Sequence, residues 1–283
     1  MITYYFRTIT RTPLRLAVLT IVSITLQASF GGIALAHEPT PHIHDQGHLH
    51  FSHPLVAESP SPDTKVRFDY FFSNEPGEEG VKRHTLRLES EYAFAPWLSL
   101  EADVPYTFLN TNEGNATDRL DNVEVGIKYA NFTLGEHGVL LGGGIEFGLP
   151  TGNEERGIGF DRVLEVEPFV DLGYRRDHWE IVGFTSFGFP FNDNDEDEAD
   201  FELGWNVSIL YYLIPQLMTL LEFDGEHVFG GEEDGETFVN ITPGFKIQPF
   251  DNPSFQVGVG VSLPLTEDKE FHVRPVLSLF YHF

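Results

Sequence analysis

The sequence predicts an all-β chain, a transmembrane antiparallel up-and-down β-barrel of about 12 strands, preceded by a disordered His-rich N-terminal segment. Three observations carry this. From Val66 onward apolar and polar residues alternate in segment after segment, the two-residue period of a strand with a different solvent on each face. Tight and long connections alternate between those segments, as they do in bacterial outer-membrane barrels. Aromatic residues gather at the segment ends, where amphipathic rings favour the two interfaces of a bilayer.

Composition narrows the function classes first. The 283 residues carry 44 Asp and Glu against 17 Lys and Arg, a formal net charge of −27. Nucleic acid is thereby a poor partner, since nothing would replace the counterions around its phosphates. The chain has no Cys, which excludes disulfides, thiolate metal sites and Cys nucleophiles together. At 41% hydrophobic it is too apolar to remain unfolded despite its charge.

The first element is an address. Arg7, Arg11 and Arg15 precede an apolar run from Leu16 to Leu26, and the segment ends in Ala34-Leu35-Ala36. A basic start, an apolar stretch and an A-x-A site predict a Sec-type secretory signal over 1–36, cleaved after Ala36. A spanning helix needs about 20 apolar residues, and Thr20, Ser23, Thr25, Gln27 and Ser29 interrupt this run. Residues 37–64, rich in His, Pro and Ser, read as a flexible periplasmic segment. The barrel is expected over 65–283.

Its strands are predicted at 66–73, 82–95, 97–108, 120–132, 138–148, 163–175, 178–189, 200–212, 216–228, 236–248, 254–265 and 270–283. One segment shows the pattern plainly: Phe201, Leu203, Trp205, Val207, Ile209 and Tyr211 alternate with Glu202, Gly204, Asn206 and Ser208. Tight connections fall around Pro96, Gly135-Glu136-His137, Arg176-Asp177, Pro215 and Asp251-Asn252-Pro253, which would face the periplasm; the longer, mostly acidic ones would face outward. Phe94, Trp97, Trp179, Tyr211, Tyr281 and Phe283 mark the periplasmic ends, and Phe71, Tyr106, Phe108, Phe147, Phe189, Phe201 and Phe271 the outer ends. The closing strand, ending in Phe283, resembles the C-terminal signature by which the barrel-assembly machinery recognises outer-membrane proteins. Such a barrel would sit in the bacterial outer membrane against lipid and lipopolysaccharide. Backbone groups in lipid must all be paired, so a closed barrel is the all-β way to span.

Function must then be read from the polar face. Fifteen acids on it, among them Glu124, Glu146, Glu180 and Glu222, outnumber Arg67, Arg83, Arg87, Lys128, Lys246 and Arg274. A lumen so biased favours cations. A tight hairpin at Pro96 would set Glu91 opposite Glu101 and Glu89 opposite Asp103. Like charges across a ladder repel, so raised pKa values, a bound cation or neighbouring bases must compensate, the last as a salt-bridge ladder with Arg67 near Glu89 and Lys128 near Glu101. Glycines on the same face, including Gly258 and Gly260, would leave room near the wall.

His37, His42, His44, His48, His50 and His53 form a second candidate site. Neutral imidazoles on a flexible run suit capture of Zn, Cu or Ni, although the barrel itself requires no cofactor. The loop Asp193-Asn194-Asp195-Glu196-Asp197-Glu198 lacks the glycine and glutamate of an EF-hand and reads as solvated. An enzyme is not expected: Glu226 and His227 should point to opposite faces of their strand, and no serine accompanies them.

Three blocks carry a family resemblance: Pro96-Trp97-Leu98-Ser99-Leu100-Glu101-Ala102-Asp103-Val104-Pro105-Tyr106, Asp121-Asn122-Val123-Glu124-Val125-Gly126-Ile127-Lys128-Tyr129, and Gly148-Leu149-Pro150-Thr151-Gly152. They look like successive blocks of the outer-membrane proteins labelled "putative MetA-pathway of phenol degradation". The resemblance implies a transporter-like barrel passing aromatic compounds, and carries over no catalytic or ligand residue. The residues and the resemblance together predict a channel or transporter for small solutes, aromatic compounds or metal cations. The alternative is a periplasm-facing metal-binding protein that uses the histidine segment.

Overall fold

The alternation closes on itself. The computed structural model describes residues 48–76, 80–110, 116–191, 199–231, 234–250 and 254–283; the expected signal sequence, His37, His42, His44 and the acidic run 193–198 lie outside the described residues. The strands are β1 (Lys65–Asn74), β2 (Lys82–Ala95), β3 (Leu98–Asn110), β4 (Ala116–Leu120), β5 (Val123–Asn131), β6 (Val139–Leu149), β7 (Leu164–Arg176), β8 (Trp179–Phe191), β9 (Phe201–Ile214), β10 (Leu217–Phe229), β11 (Thr237–Ile247), β12 (Phe255–Pro264) and β13 (Arg274–His282). Pairing is antiparallel throughout, and β1 joins β13 with Lys65 opposite His282 and Phe71 opposite Val276, so the sheet closes and, among the described strands, only the short β4 is paired on one side alone.

Thirteen strands make twelve columns, because β4 and β5 both flank β3, Leu120 facing Tyr106 and Glu124 facing Asp103. The sequence pattern predicts one strand there, starting at 120. The structure starts it at Ala116 and interrupts it at Asp121 and Asn122. The Asn122 side chain leaves the ladder to hold a loop. Its Nδ2 donates to the Leu149 and Phe160 carbonyls at 2.7 and 3.0 Å, and the Phe160 N–H donates to its Oδ1 at 2.6 Å. The break thus pins the long loop after β6 to the barrel rim. At the opposite rim the β7–β8 turn is short enough that Asp177 adopts a left-handed φ of 54°.

Burial is inverted relative to a soluble protein. Arg67, Asp69, Glu89, Lys128, Glu180 and Glu222 are buried, whereas Leu100, Ile127, Val170, Leu172, Val207 and Leu277 are exposed. Only a lipid exterior makes that arrangement favourable. Aromatic pairs ring the tight-turn end, with Trp97 6.0 Å from Tyr129 and Trp179 4.5 Å from Tyr211 between ring centroids. Phe201, 4.1 Å from Phe229, marks the loop end. Two expected members of the outer belt belong elsewhere. Phe71 shares the inward face of Arg67 and Asp69 and lies 5.4 Å from the Arg87 guanidinium. Phe271 precedes its strand and is buried beneath Arg274.

The largest departure concerns the expected mobile segment. Its described part, 48–64, runs inside the barrel: Phe51, Leu55 and Ser59 are wholly buried. Phe51 and Leu55 join Ala130, Leu140, Val182, Leu210, Met218, Leu220 and Phe280 in an apolar cluster. Those wall residues come from strand ends near the tight turns, so the segment fills that half of the lumen.

Candidate functional site

An irregular chain can be buried only if its backbone polar groups find partners. Here the charged wall supplies them. Glu222 of β10 accepts the N–H groups of Leu55 at 2.7 Å and of Val56 and Ala57 at 3.1 Å, and the Ser208 hydroxyl donates to it at 3.1 Å. Glu180 of β8 accepts the Ser52 N–H at 2.9 Å, and Glu91 of β2 accepts that of Asp63 at 3.1 Å. In the other direction Lys246 donates to the His53 carbonyl at 2.7 Å, Arg67 to that of Leu55 and Arg175 to that of His50. Within the segment the Phe51 N–H donates to Ser61 Oγ at 2.7 Å, and the Ser59 hydroxyl to the Phe51 carbonyl at 3.2 Å, closing a loop on itself.

The wall also leaves space for the segment's side chains. A Cβ on Gly173 would lie 2.6 Å from the Phe51 ring, and one on Gly244 or Gly260 at 2.8 or 2.9 Å from Leu55. Inward glycines are therefore sockets for these two residues, as close approach requires.

The hairpin at Pro96 has the expected pairing, Glu89 opposite Asp103 and Glu91 opposite Glu101, reached through a one-residue register shift between Ala93 and Ala95. The four carboxylates divide into two pairs. Glu89 and Glu91 are buried at 2.5 and 2.6 Å from Lys65 Nζ, and Arg67 stands 3.5 Å from Glu89. Glu101 takes Lys128 at 2.9 Å and Asp103 takes Arg87 at 3.4 Å, and both also face open space. Lys128 reaches the segment as well, 3.1 Å from Glu58. Burial opposes ionisation of Glu58, yet Lys128 holds its carboxyl below the ordinary range.

Above the segment lies a cavity of about 290 Å³, with Val56, Ala57 and Glu58 as its floor and the loop-end half of the barrel as its wall. Ten carboxylates line it and Arg87 is the lining base. The lumen thus holds an acidic cavity at the loop end and the packed segment 48–64 at the tight-turn end.

The described histidines separate. His48 is exposed beside Phe132, 4.7 Å between rings. His50 and His53 instead approach Asp63, with Nε2 atoms 3.6 and 3.3 Å from its Oδ2, and His282 Nδ1 lies 2.6 Å from the same oxygen. Burial would raise the Asp63 pKa, but His282, His50 and His53 together bring it well below the carboxylate range. Burial, aided by Lys65, pushes His53 well below an ordinary histidine, whereas Asp63 overcomes burial to raise His50. Asp63 and His282 are absent from the sequence-based candidates, since neither lies in the histidine run. Lys65 escapes them because it falls one residue before the predicted strand. Its alternation with Arg67 and Asp69 on one face is the available signal.

No protein-family model and no curated protein sequence matches the chain. Its fold is similar to that of an outer-membrane channel from Pseudomonas putida F1, with a TM-score of 0.61 and 15% identity over 85% of this chain and 100% of that one. It is also similar to the NanC porin, with a TM-score of 0.52 and 9% identity over 78% of this chain and 98% of that one. A third likeness is to the translocator domain of the autotransporter NalP from Neisseria meningitidis, with a TM-score of 0.52 and 9% identity over 95% and 97%. At these identities what is shared is the outer-membrane barrel fold.

Proposed function

We propose that the protein is an outer-membrane channel for small solutes, with a cation-favouring vestibule and a tight-turn half closed by residues 48–64, so that passage requires the segment to shift. The carboxylate-lined cavity carries this reading. Ten acids around one guanidinium, between low-dielectric walls, concentrate cations and repel anions. The tight-turn end faces the periplasm, as short turns do in such barrels, which gives segment 48–64 periplasmic access. Aromatic compounds, the permeants implied by the family resemblance, would find Phe184 and Phe238 on the same wall.

The test is the reversal potential of the reconstituted full chain in a salt gradient across a planar bilayer. Cation selectivity is expected, and Glu101→Gln with Asp103→Asn should move the potential toward zero. Anion selectivity, or a barrel that passes no ions even when the segment is unseated by substitution, defeats the proposal.

A further inference from the structure

The wall contacts explain why segment 48–64 is held, but not why four polar side chains meet at its two ends. His50 and His53 belong to its start, Asp63 to its end, and His282 to the last turn-side residues of β13. One nitrogen from each of His50 and His53 and one oxygen of Asp63 lie within 4.8 Å of one another. His53 is 2% exposed, and its Nε2 has no hydrogen-bond partner although the nearest Asp63 carboxylate oxygen is only 3.3 Å away. A buried, unpartnered ring nitrogen is costly unless something else takes its lone pair.

We infer that His50, His53 and Asp63 form a site for a divalent transition-metal ion, zinc, nickel or copper by donor type, which closes the loop of segment 48–64 against the barrel. Donor atoms about 2 Å from a tetrahedral ion stand roughly 3.3 Å apart. Two edges of the donor triangle already have about that length, His53 to Asp63 at 3.3 Å and His50 to Asp63 at 3.6 Å. The third edge needs the half-exposed His50 ring to swing inward. His282 is the positioning residue: its Nδ1–H donates to Asp63 Oδ2 at 2.6 Å and orients the carboxylate, as outer partners of metal ligands do. Solvent would complete the coordination. Two imidazoles and a carboxylate match zinc, nickel or copper better than calcium or magnesium, which prefer oxygen donors alone. Because the donors come from both ends of the segment, the ion would act as a clasp, and removing it would loosen the seal.

The site is distinct from capture by His37, His42, His44 and His48, and the experiment separates them. Zinc binding to the mature full chain in detergent is measured by calorimetry, with cobalt absorption as the spectroscopic check on the donor set. A variant with His37, His42, His44 and His48 all changed to Asn should keep one equivalent of tight zinc. His50→Asn, His53→Asn and Asp63→Asn, each made alone, should each weaken that equivalent at least tenfold, and His282→Asn should shift the cobalt spectrum. Loss of the tight site in the four-histidine variant, or unchanged affinity in all three single variants, overturns the assignment. Calorimetry reads the ion whether or not the barrel conducts, so failure of the channel reading is distinguishable from failure of this one.

Discussion

Glu222 offers the sharpest test of how the segment is held. Its two carboxyl oxygens accept three consecutive N–H groups, of Leu55, Val56 and Ala57, inside a fully buried pocket. Glu222→Gln keeps the volume and turns one acceptor into an NH₂ donor, which then confronts the backbone donors it once satisfied. Hydrogen bonds to charged groups contribute about 1.5–3 kcal/mol each, so losing two costs at least about 3 kcal/mol of docking free energy. At about 1.4 kcal/mol per decade the undocked population rises roughly 150-fold. Hydrogen exchange by mass spectrometry on peptides spanning 50–58 reads that population, and open probability in bilayers reads its consequence. Heat-modifiable gel mobility confirms that the barrel remains closed. If exchange at 55–57 in the variant matched wild type, Glu222 would not be the anchor of the segment and the argument from backbone satisfaction would fail.

Gly173→Ala places a methyl against the Phe51 ring, where a Cβ meets it at 2.6 Å; overpacking costs about 1–3 kcal/mol, and limited proteolysis between 48 and 64 should accelerate without loss of the barrel. Lys65→Met leaves Glu89 and Glu91 without the ammonium 2.5 and 2.6 Å away. Breaking such a buried pair costs about 3–5 kcal/mol, read as a lower urea midpoint in lipid vesicles. The Glu58 carboxyl sits below its usual 4.5 because Lys128 outweighs burial, so its contribution to docking is complete above that value and fades as pH falls through the lower one. Acidification well below the ordinary glutamate value of 4.5 should therefore raise open probability less in Glu58→Gln than in wild type.

How much of this is legible in the sequence differs from element to element. The period-two alternation of Phe201 to Tyr211 dictates both strand and orientation, because lipid and water impose opposite requirements on alternate residues. Turn lengths dictate topology, and the turn at Pro96, together with the one-residue register shift beside it between Ala93 and Ala95, sets Glu89 opposite Asp103. The same alternation carries a second message that is clear only in three dimensions. Leu140, Val182, Leu210, Met218, Leu220 and Phe280 occupy inward positions near the tight turns, where water would be expected. Such residues signal an apolar occupant, but nothing local to 48–64 says that its Phe51 and Leu55 are it.

Short-range periodicity therefore gives the closed barrel, its acidic interior and most strands and faces, but not the break at Asp121 and Asn122 or the positions of Phe71 and Phe271. Long-range packing alone reveals that Glu180 and Glu222 accept backbone N–H groups rather than water or a permeant, and that Asp63 gathers histidines from positions 50, 53 and 282. The physical reason is that an irregular segment has no period. Its place is set by partners far along the chain, through hydrogen bonds and sockets that exist only once the barrel has closed.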